Sequence, residues 1–142
     1  MTELVRQATC VAIGGRGVLI EGAPGSGKSS LALALIDRGA VLVGDDGVVL
    51  RAHDGRLLAE PHPNTRGLLE VRNLGLLPQP VAEAVPVALV LALDEQAPRY
   101  VEAAECIEIG GLALPLIRLT PDGSTLPLKA ELALRHYGLF QT

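Results

Sequence analysis

Aromatic side chains are almost absent from this sequence of 142 residues, which contains no tryptophan, two tyrosines and one phenylalanine. Because alanine, valine, leucine and isoleucine dominate its 49% hydrophobic content, any core must be aliphatic. No apolar run approaches the roughly 20 residues that a membrane-spanning helix needs. The first six residues lack a basic region followed by a long apolar stretch, which argues against a secretory signal. The composition therefore predicts a globular domain with no membrane partner.

Cysteine and lysine are also scarce. The two cysteines, Cys10 and Cys106, are too few and too far apart for a disulfide scaffold or a zinc site, and we expect two buried free thiols in a reducing cytoplasm. Lysine occurs only at Lys28 and Lys129, and the 12 basic residues are outnumbered by 16 acidic ones, which gives a net charge of −4. Since no basic cluster interrupts this balance, the sequence predicts no nucleic-acid partner.

What the sequence does contain is a phosphate-binding motif. Residues 22–29, Gly-Ala-Pro-Gly-Ser-Gly-Lys-Ser, match the pattern G-x-x-x-x-G-K-[ST] at every fixed position. The motif stands between the apolar runs 17–20 and 31–36, so the order strand, glycine-rich loop, helix is recognisable. In such a loop the backbone N–H groups and the helix N-terminus surround a phosphate, the lysine meets the β and γ phosphates, and the serine hydroxyl binds Mg²⁺. The predicted nucleotide-binding residues are Gly22, Ala23, Pro24, Gly25, Ser26, Gly27, Lys28, Ser29 and Ser30.

The whole chain, residues 1–142, predicts one mixed α/β domain. A helix from Lys28 to Arg38 should end at Gly39, a natural left-handed stop. The run 87–93 should be a central strand covered on both faces because it is apolar throughout. Residues 128–137, with leucines at 128, 132 and 134, predict a closing amphipathic helix. The predicted strands are 8–13, 17–21, 41–43, 48–52, 56–60, 67–72, 87–93, 107–109 and 112–119.

Residues alone leave open which carboxylates serve the phosphate site. Asp45 and Asp46 end the short strand after the first helix, and Asp94 ends the central apolar run. Adjacent carboxylates repel each other unless a cation or a shared proton relieves them, so the pair favours a metal or base role. The alternative is that Asp45, Asp46 and Gly47 form a plain turn, which the sequence favours less than a functional pair. Spacing barely prefers the pair to Asp94.

Four segments together resemble the catalytic domain of the bacterial HPr kinase/phosphorylase family. They are the loop in the form G-x-x-G-x-G-K-S, a helix ending Arg38-Gly39, the run Leu42-Val43-Gly44-Asp45-Asp46, and the run Leu69-Glu70-Val71-Arg72-Asn73-Leu74-Gly75-Leu76. The resemblance covers nearly the whole chain as a short single-domain form. It implies a P-loop fold of the HPr kinase and phosphoenolpyruvate carboxykinase type, with a mixed central sheet and flanking helices.

The same resemblance implies an activity and its partners. The family uses ATP and Mg²⁺ to phosphorylate a serine on HPr, the small phosphocarrier protein of the phosphotransferase system. An ATP-dependent, cytoplasmic protein-serine kinase acting on an HPr-like phosphocarrier is therefore implied. A weak phosphorylase activity and a ring-like homo-oligomer belong to the same implication.

The resemblance also implies roles for individual residues. Lys28 would bind and polarise the transferred phosphate, and Asp46 would accept the proton of the target serine. Ser29 and Glu70 would hold Mg²⁺, and Arg99 is a weaker match to a catalytic arginine on a mobile loop. The implied catalytic residues are Asp46, Lys28, Asp45, Arg72 and Arg99, and the implied metal ligands are Ser29, Glu70 and Asp45.

The sequence departs from the family pattern at three positions. Gln7 stands where the family usually has a histidine, Ser30 where it has an acidic residue, and Asn73 where it has a glycine. A glutamine cannot exchange a proton near neutral pH. Gln7 and Asn73 keep open a second function, a catalytically silent P-loop nucleotide sensor that acts through a protein partner. A third is a kinase for a small metabolite, because many P-loop kinases are of this size. The paired aspartates and the segment 70–72 speak against the last.

Overall fold

Eleven strands and two helices make up residues 3–140, the part of the chain that the computed structural model describes. The elements are β1 (Glu3–Arg6), β2 (Thr9–Ile13), β3 (Arg16–Glu21), α1 (Lys28–Asp37), β4 (Val41–Gly44), β5 (Val48–His53), β6 (Arg56–Pro61), β7 (Leu68–Val71), β8 (Gly75–Pro78), β9 (Val85–Leu93), β10 (Glu105–Ile109), β11 (Leu112–Leu119) and α2 (Leu126–Tyr137). The amino-acid pattern predicts all of these elements except β1 and β8.

Nine strands form one mixed sheet in the order β1-β5-β6-β9-β3-β2-β4, with β11 added on β9 and β10 on β11. The central strand β9 pairs in parallel with β3 and β11, and its first residues pair antiparallel with β6. Seven of its nine residues are buried, which confirms the predicted strand covered on both faces. β7 and β8 form a separate two-stranded hairpin.

Both helices pack on one face of the large sheet. Val18 and Ile20 of β3 belong to a buried cluster that includes residues of α1 and α2. Leu19, which points to the other face because side chains alternate along a strand, belongs to a second cluster formed by strand residues. The described core is aliphatic, as predicted: its buried hydrophobic residues are alanine, valine, leucine, isoleucine and Cys10.

The inward face of α2 differs from the prediction. Leu128 and Leu132 are 40% and 45% exposed, whereas Ala130 and Ala133 are buried. Small side chains let the helix axis approach the sheet closely, so the alanines occupy the interface and two of the leucines are left in solvent. Neither described helix is long and apolar enough to cross a membrane.

The two cysteines also have different environments, although both were expected to be buried. Cys10 is fully buried in the second cluster, and desolvation raises the pKa of its thiol to about 12 from an ordinary value of 9.0. Cys106 is exposed on β10. The expectation of two free thiols agrees with the structure, and the expectation of burial is wrong for Cys106.

The sheet topology brings one end of three strands together. β2 is antiparallel to both β3 and β4 and lies between them. The carboxyl ends of β3 and β4 therefore meet at the edge where β2 begins. The glycine-rich loop leaves β3 there, Asp45 follows β4 there, and Thr9 starts β2 at the same edge.

Candidate functional site

A cavity of about 760 Å³ opens at this edge of the sheet. Its volume lies in the range of roughly 300–1,000 Å³ that is typical of small-molecule and cofactor sites. Its lining residues are Gln7, Thr9, Gly22, Pro24, Gly25, Gly27, Lys28, Ser29, Ser30, Asp46, Glu70, Val71, Arg72, Asn73 and Gly75. Seven of the nine predicted nucleotide-binding residues are among them, and Ala23 and Ser26 are the two that do not line the cavity.

The glycine loop, residues 22–29, forms one wall of the cavity. Gly25 and Gly27 have φ values of 79° and 104°, a conformation that residues with a Cβ atom adopt only with strain. Gly27 is also the N-cap of α1 and brings no side-chain cap. The first N–H groups of the helix therefore lack a capping side chain at the cavity, which is the arrangement that binds anions at helix N-termini.

The Lys28 ammonium is folded back onto its own loop. Its Nζ donates to the carbonyl oxygens of Gly22 at 3.0 Å and Ala23 at 3.4 Å. These acceptors are neutral, so an anionic phosphate in the cavity would compete well for the same ammonium. The lysine therefore stands beside the position that the motif predicts for a phosphate.

Asp45 is one of the two buried polar or charged residues among those described, with 6% of its surface exposed. Its Oδ1 accepts hydrogen bonds from Ser29 Oγ at 2.7 Å and Thr9 Oγ1 at 3.0 Å. Its Oδ2 accepts one from the backbone N–H of Glu70 at 2.8 Å. The carboxylate is thus committed to three protein donors, which does not favour its predicted role as a direct metal ligand.

Asp46 differs from Asp45 in exposure and in hydrogen bonding. It has a φ of 57°, is exposed, and lines the cavity. Among the described residues it has no hydrogen-bond or ion-pair partner. Its carboxylate oxygens are therefore available to accept a proton or a hydrogen bond from a bound molecule.

The hairpin of β7 and β8 forms another part of the cavity lining. Glu70, Arg72 and Asn73 all line the cavity and are exposed. Asn73, which departs from the glycine of the family pattern, has a φ of 76° in the hairpin turn. Asparagine tolerates this left-handed conformation better than most residues, so the substitution keeps the turn that the glycine would allow.

Two other predicted candidates lie outside this group. The Asp94 carboxylate accepts hydrogen bonds from Arg118 Nη1 at 3.2 Å and from the backbone N–H of Gln96 at 2.8 Å, and Asp94 does not line the cavity. Arg99 is exposed in the segment between β9 and β10 and does not line it either. The geometry favours Asp46 over Asp94 and gives no support for Arg99.

A preformed cluster of metal ligands is not found within residues 3–140, where no group of three or more histidine, cysteine, aspartate or glutamate residues could hold an ion. Mg²⁺ does not require one, because it is usually bound by one or two carboxylates together with substrate phosphates and water. Ser29 Oγ directs its proton to Asp45, which leaves its lone pairs for a cation. Ser29 and Glu70 could therefore hold Mg²⁺ together with phosphate oxygens.

Thr9 is the residue that sequence reasoning missed. It is fully buried, lines the cavity edge and donates to Asp45, yet from the sequence it is only one residue of the predicted strand 8–13. The available signal was a hydroxyl at the start of an otherwise apolar strand that runs beside the strand of the glycine loop.

The strand, glycine loop and helix, with acidic side chains across a shared cavity, define the class of mixed α/β domains built around a phosphate-loop motif. Comparison with known proteins narrows the class. The model of the HPr serine kinase C-terminal domain family matches residues 2–83. The chain therefore belongs to the HPr serine kinase C-terminal domain family.

Individual relatives agree with the family assignment. The HPr kinase/phosphorylase of Streptococcus thermophilus strain LMD-9 is 36% identical over 141 residues, which cover 89% of this chain and 46% of the relative. That of Clostridium beijerinckii is 48% identical over 67 residues, which cover 47% of this chain and 22% of the relative. The solved structure of the Hpr(Ser) kinase/phosphatase from Coxiella burnetii superposes with a TM-score of 0.84 at 29% identity, over 93% of this chain and 88% of that one. The chain thus spans less than half the length of the Streptococcus relative.

Proposed function

We propose that this protein is an ATP-dependent, Mg²⁺-requiring protein-serine kinase that phosphorylates an HPr-like phosphocarrier. The observation that carries the proposal is that the glycine loop, Asp46 and the hairpin residues Glu70 and Arg72 line one cavity. Relatives named HPr kinase/phosphorylase and Hpr(Ser) kinase/phosphatase support the choice of acceptor. A cytoplasmic location, a homo-oligomeric assembly and a weak phosphorylase activity belong to the same proposal.

The residues that line the cavity could bind a nucleoside triphosphate together with a cation. The loop amides and Lys28 would hold the β and γ phosphates. Asp46 and Glu70 would repel a bare polyphosphate, so a divalent ion between the acids and the phosphates is needed to turn this repulsion into attraction. Ser29 and Glu70 are the residues that would hold the ion, with Asp45 behind Ser29. Held by Ser29 and Glu70, Mg²⁺ would supply charge neutralisation at the β and γ phosphate oxygens.

Asp46 is the general base of the proposal. Its carboxylate accepts the proton of the target serine while the serine oxygen attacks the γ phosphorus. The bond from that phosphorus to the β–γ bridging oxygen breaks, and ADP leaves. Arg72, exposed on the same cavity, would stabilise the charge that spreads over the equatorial oxygens. Arg99 remains a prediction from the resemblance.

One observation favours a second candidate function, a catalytically silent nucleotide sensor. Gln7 lines the cavity where the family usually has a proton-exchanging histidine. A catalytically silent sensor would bind nucleotide through the glycine loop and transfer no phosphate. The two functions differ in a single measurable step.

The test is transfer of label from [γ-³²P]ATP to a purified HPr-like phosphocarrier in the presence of Mg²⁺, with the labelled residue identified as serine. The chain offers a matched pair of variants because it has only two lysines. Lys28→Met should abolish labelling, while Lys129→Met, on the exposed side of α2, should keep it. EDTA should stop the reaction. Tight ATP binding with no labelled carrier at high protein concentration would reject the kinase and favour the sensor.

A further inference from the structure

The hairpin of β7 and β8 has few attachments to the rest of the protein. It pairs with neither edge of the large sheet. Leu69 is its apolar anchor, with 0% exposure in the helix-side cluster. Within residues 3–140, the hydrogen bond from the Glu70 N–H to Asp45 Oδ2 is the one that joins these two strands to a residue outside the segment 65–79. Burial of Leu69 therefore attaches the hairpin, and the Asp45 carboxylate supplies the hydrogen bond that fixes the Glu70 backbone beside the glycine loop.

That orientation is set on the other side by two hydroxyl groups. Ser29 and Thr9 both donate to Oδ1 of Asp45, so Oδ2 is turned toward the hairpin. Hydrogen bonds to a charged acceptor are stronger than those between neutral groups, so three of them hold this buried carboxylate in one orientation. The three donors come from β2, the start of α1 and β7, so one carboxylate connects three elements.

We propose that Thr9 and Asp45 are positioning residues that lock the hairpin to the glycine loop, so that Glu70 and Arg72 stand at the cavity wall before a ligand arrives. The catalytic part of this inference rests on the proposed function, whereas the lock itself does not. Thr9 acts through Asp45 by keeping its carboxylate from rotating. A substitution of Ser29 in the glycine loop should then change the rate of hydrogen exchange at the Glu70 amide, 41 residues further along the chain.

The lock is tested without nucleotide, by NMR measurement of hydrogen exchange at the Glu70 backbone amide. Thr9→Val, which removes only the donor, should speed exchange about threefold to tenfold, and Thr9→Ser should restore the wild-type rate. The matched control is Thr65→Val, which makes the same change near the hairpin: among the described residues the Thr65 hydroxyl oxygen is buried and has no hydrogen-bond partner. Its Glu70 exchange should stay within about twofold of wild type.

Ser29→Ala keeps the test decisive if Thr9→Val does not fold, since Ser29 is only partly buried and its loss should also accelerate exchange at Glu70. Unchanged Glu70 exchange in both Thr9→Val and Ser29→Ala, or failure of Thr9→Ser to restore it, would overturn the proposal. With carrier and MgATP, Thr9→Val should lower kcat about tenfold and change the KM for ATP less than threefold, because alignment rather than binding is lost. An inactive wild type would refute the proposed kinase while the exchange result stands on its own.

Discussion

Replacing Asp46 by asparagine should remove the proposed general base and leave the fold intact. The structure dictates the choice of asparagine: Asp46 has a φ of 57°, a conformation that costs alanine about 1–2 kcal/mol and that asparagine tolerates. Asp46 has no hydrogen-bond partner among the described residues, so the amide disturbs no existing contact. Loss of a general base lowers kcat about 10²–10⁴-fold, which corresponds to roughly 2.7–5.4 kcal/mol in the activation free energy.

The assay compares steady-state phosphorylation of the carrier with ATP affinity measured by calorimetry. Asp46→Asn should lose turnover while its Kd for MgATP stays within about threefold of wild type, because the proposal assigns phosphate binding to the glycine loop. Asp54→Asn is the matched control: Asp54 has a φ of 53° in the turn between β5 and β6 and does not line the cavity. If Asp46→Asn turns over within a few-fold of Asp54→Asn, Asp46 is not the base and the catalytic reasoning fails.

Two further predictions concern the hairpin. Leu69→Ala should lower the free energy of unfolding in urea by about 2–5 kcal/mol, because the side chain is fully buried, and Leu76→Ala on the exposed side should change it by less than about 0.5 kcal/mol. Equal effects of the two would contradict the role of Leu69 as anchor. Asn73→Gly should be nearly neutral and Asn73→Val should destabilise the hairpin by about 1–2 kcal/mol, measured by amide exchange, since its φ is 76°. A valine variant as protected as the glycine variant would show that the turn does not need this conformation.

Local signals predicted the fold where turn chemistry and pairing are close in sequence. The hairpin of β5 and β6 follows from Asp54 and Gly55, both of which have positive φ. β1 and β8 were missed because neither has a buried face: the exposures of Glu3–Arg6 alternate between exposed and intermediate, and Gly75–Pro78 is mostly exposed. Their partners, not their own residues, make them strands.

The candidate site also has some features that the local sequence predicts and others that depend on distant residues. The motif predicted the glycine loop because the glycines that its backbone conformation requires lie within one run of eight residues. Because Asp45 and Asp46 are adjacent in the sequence, the pattern predicts one shared metal or base role for them. In the structure Asp45 turns inward to three donors, whereas Asp46 lines the cavity. The direction of successive side chains at a strand end depends on φ and on donors from distant elements, which a single sequence does not reveal. Thr9 was missed for the same reason, because its hydrogen bond to Asp45 joins residues that lie 36 positions apart in the sequence.

The contrast between the two cysteines has a practical consequence for spectroscopy. With its pKa raised to about 12, Cys10 is almost wholly protonated near neutrality, and only thiolates react readily with maleimides or iodoacetamides. Cys106 lies exposed on β10, away from the cavity lining. A single fluorophore or spin label can therefore be attached to the natural sequence at Cys106. With a second label on the hairpin, any displacement of the hairpin would be measured as a change in the distance between the two labels.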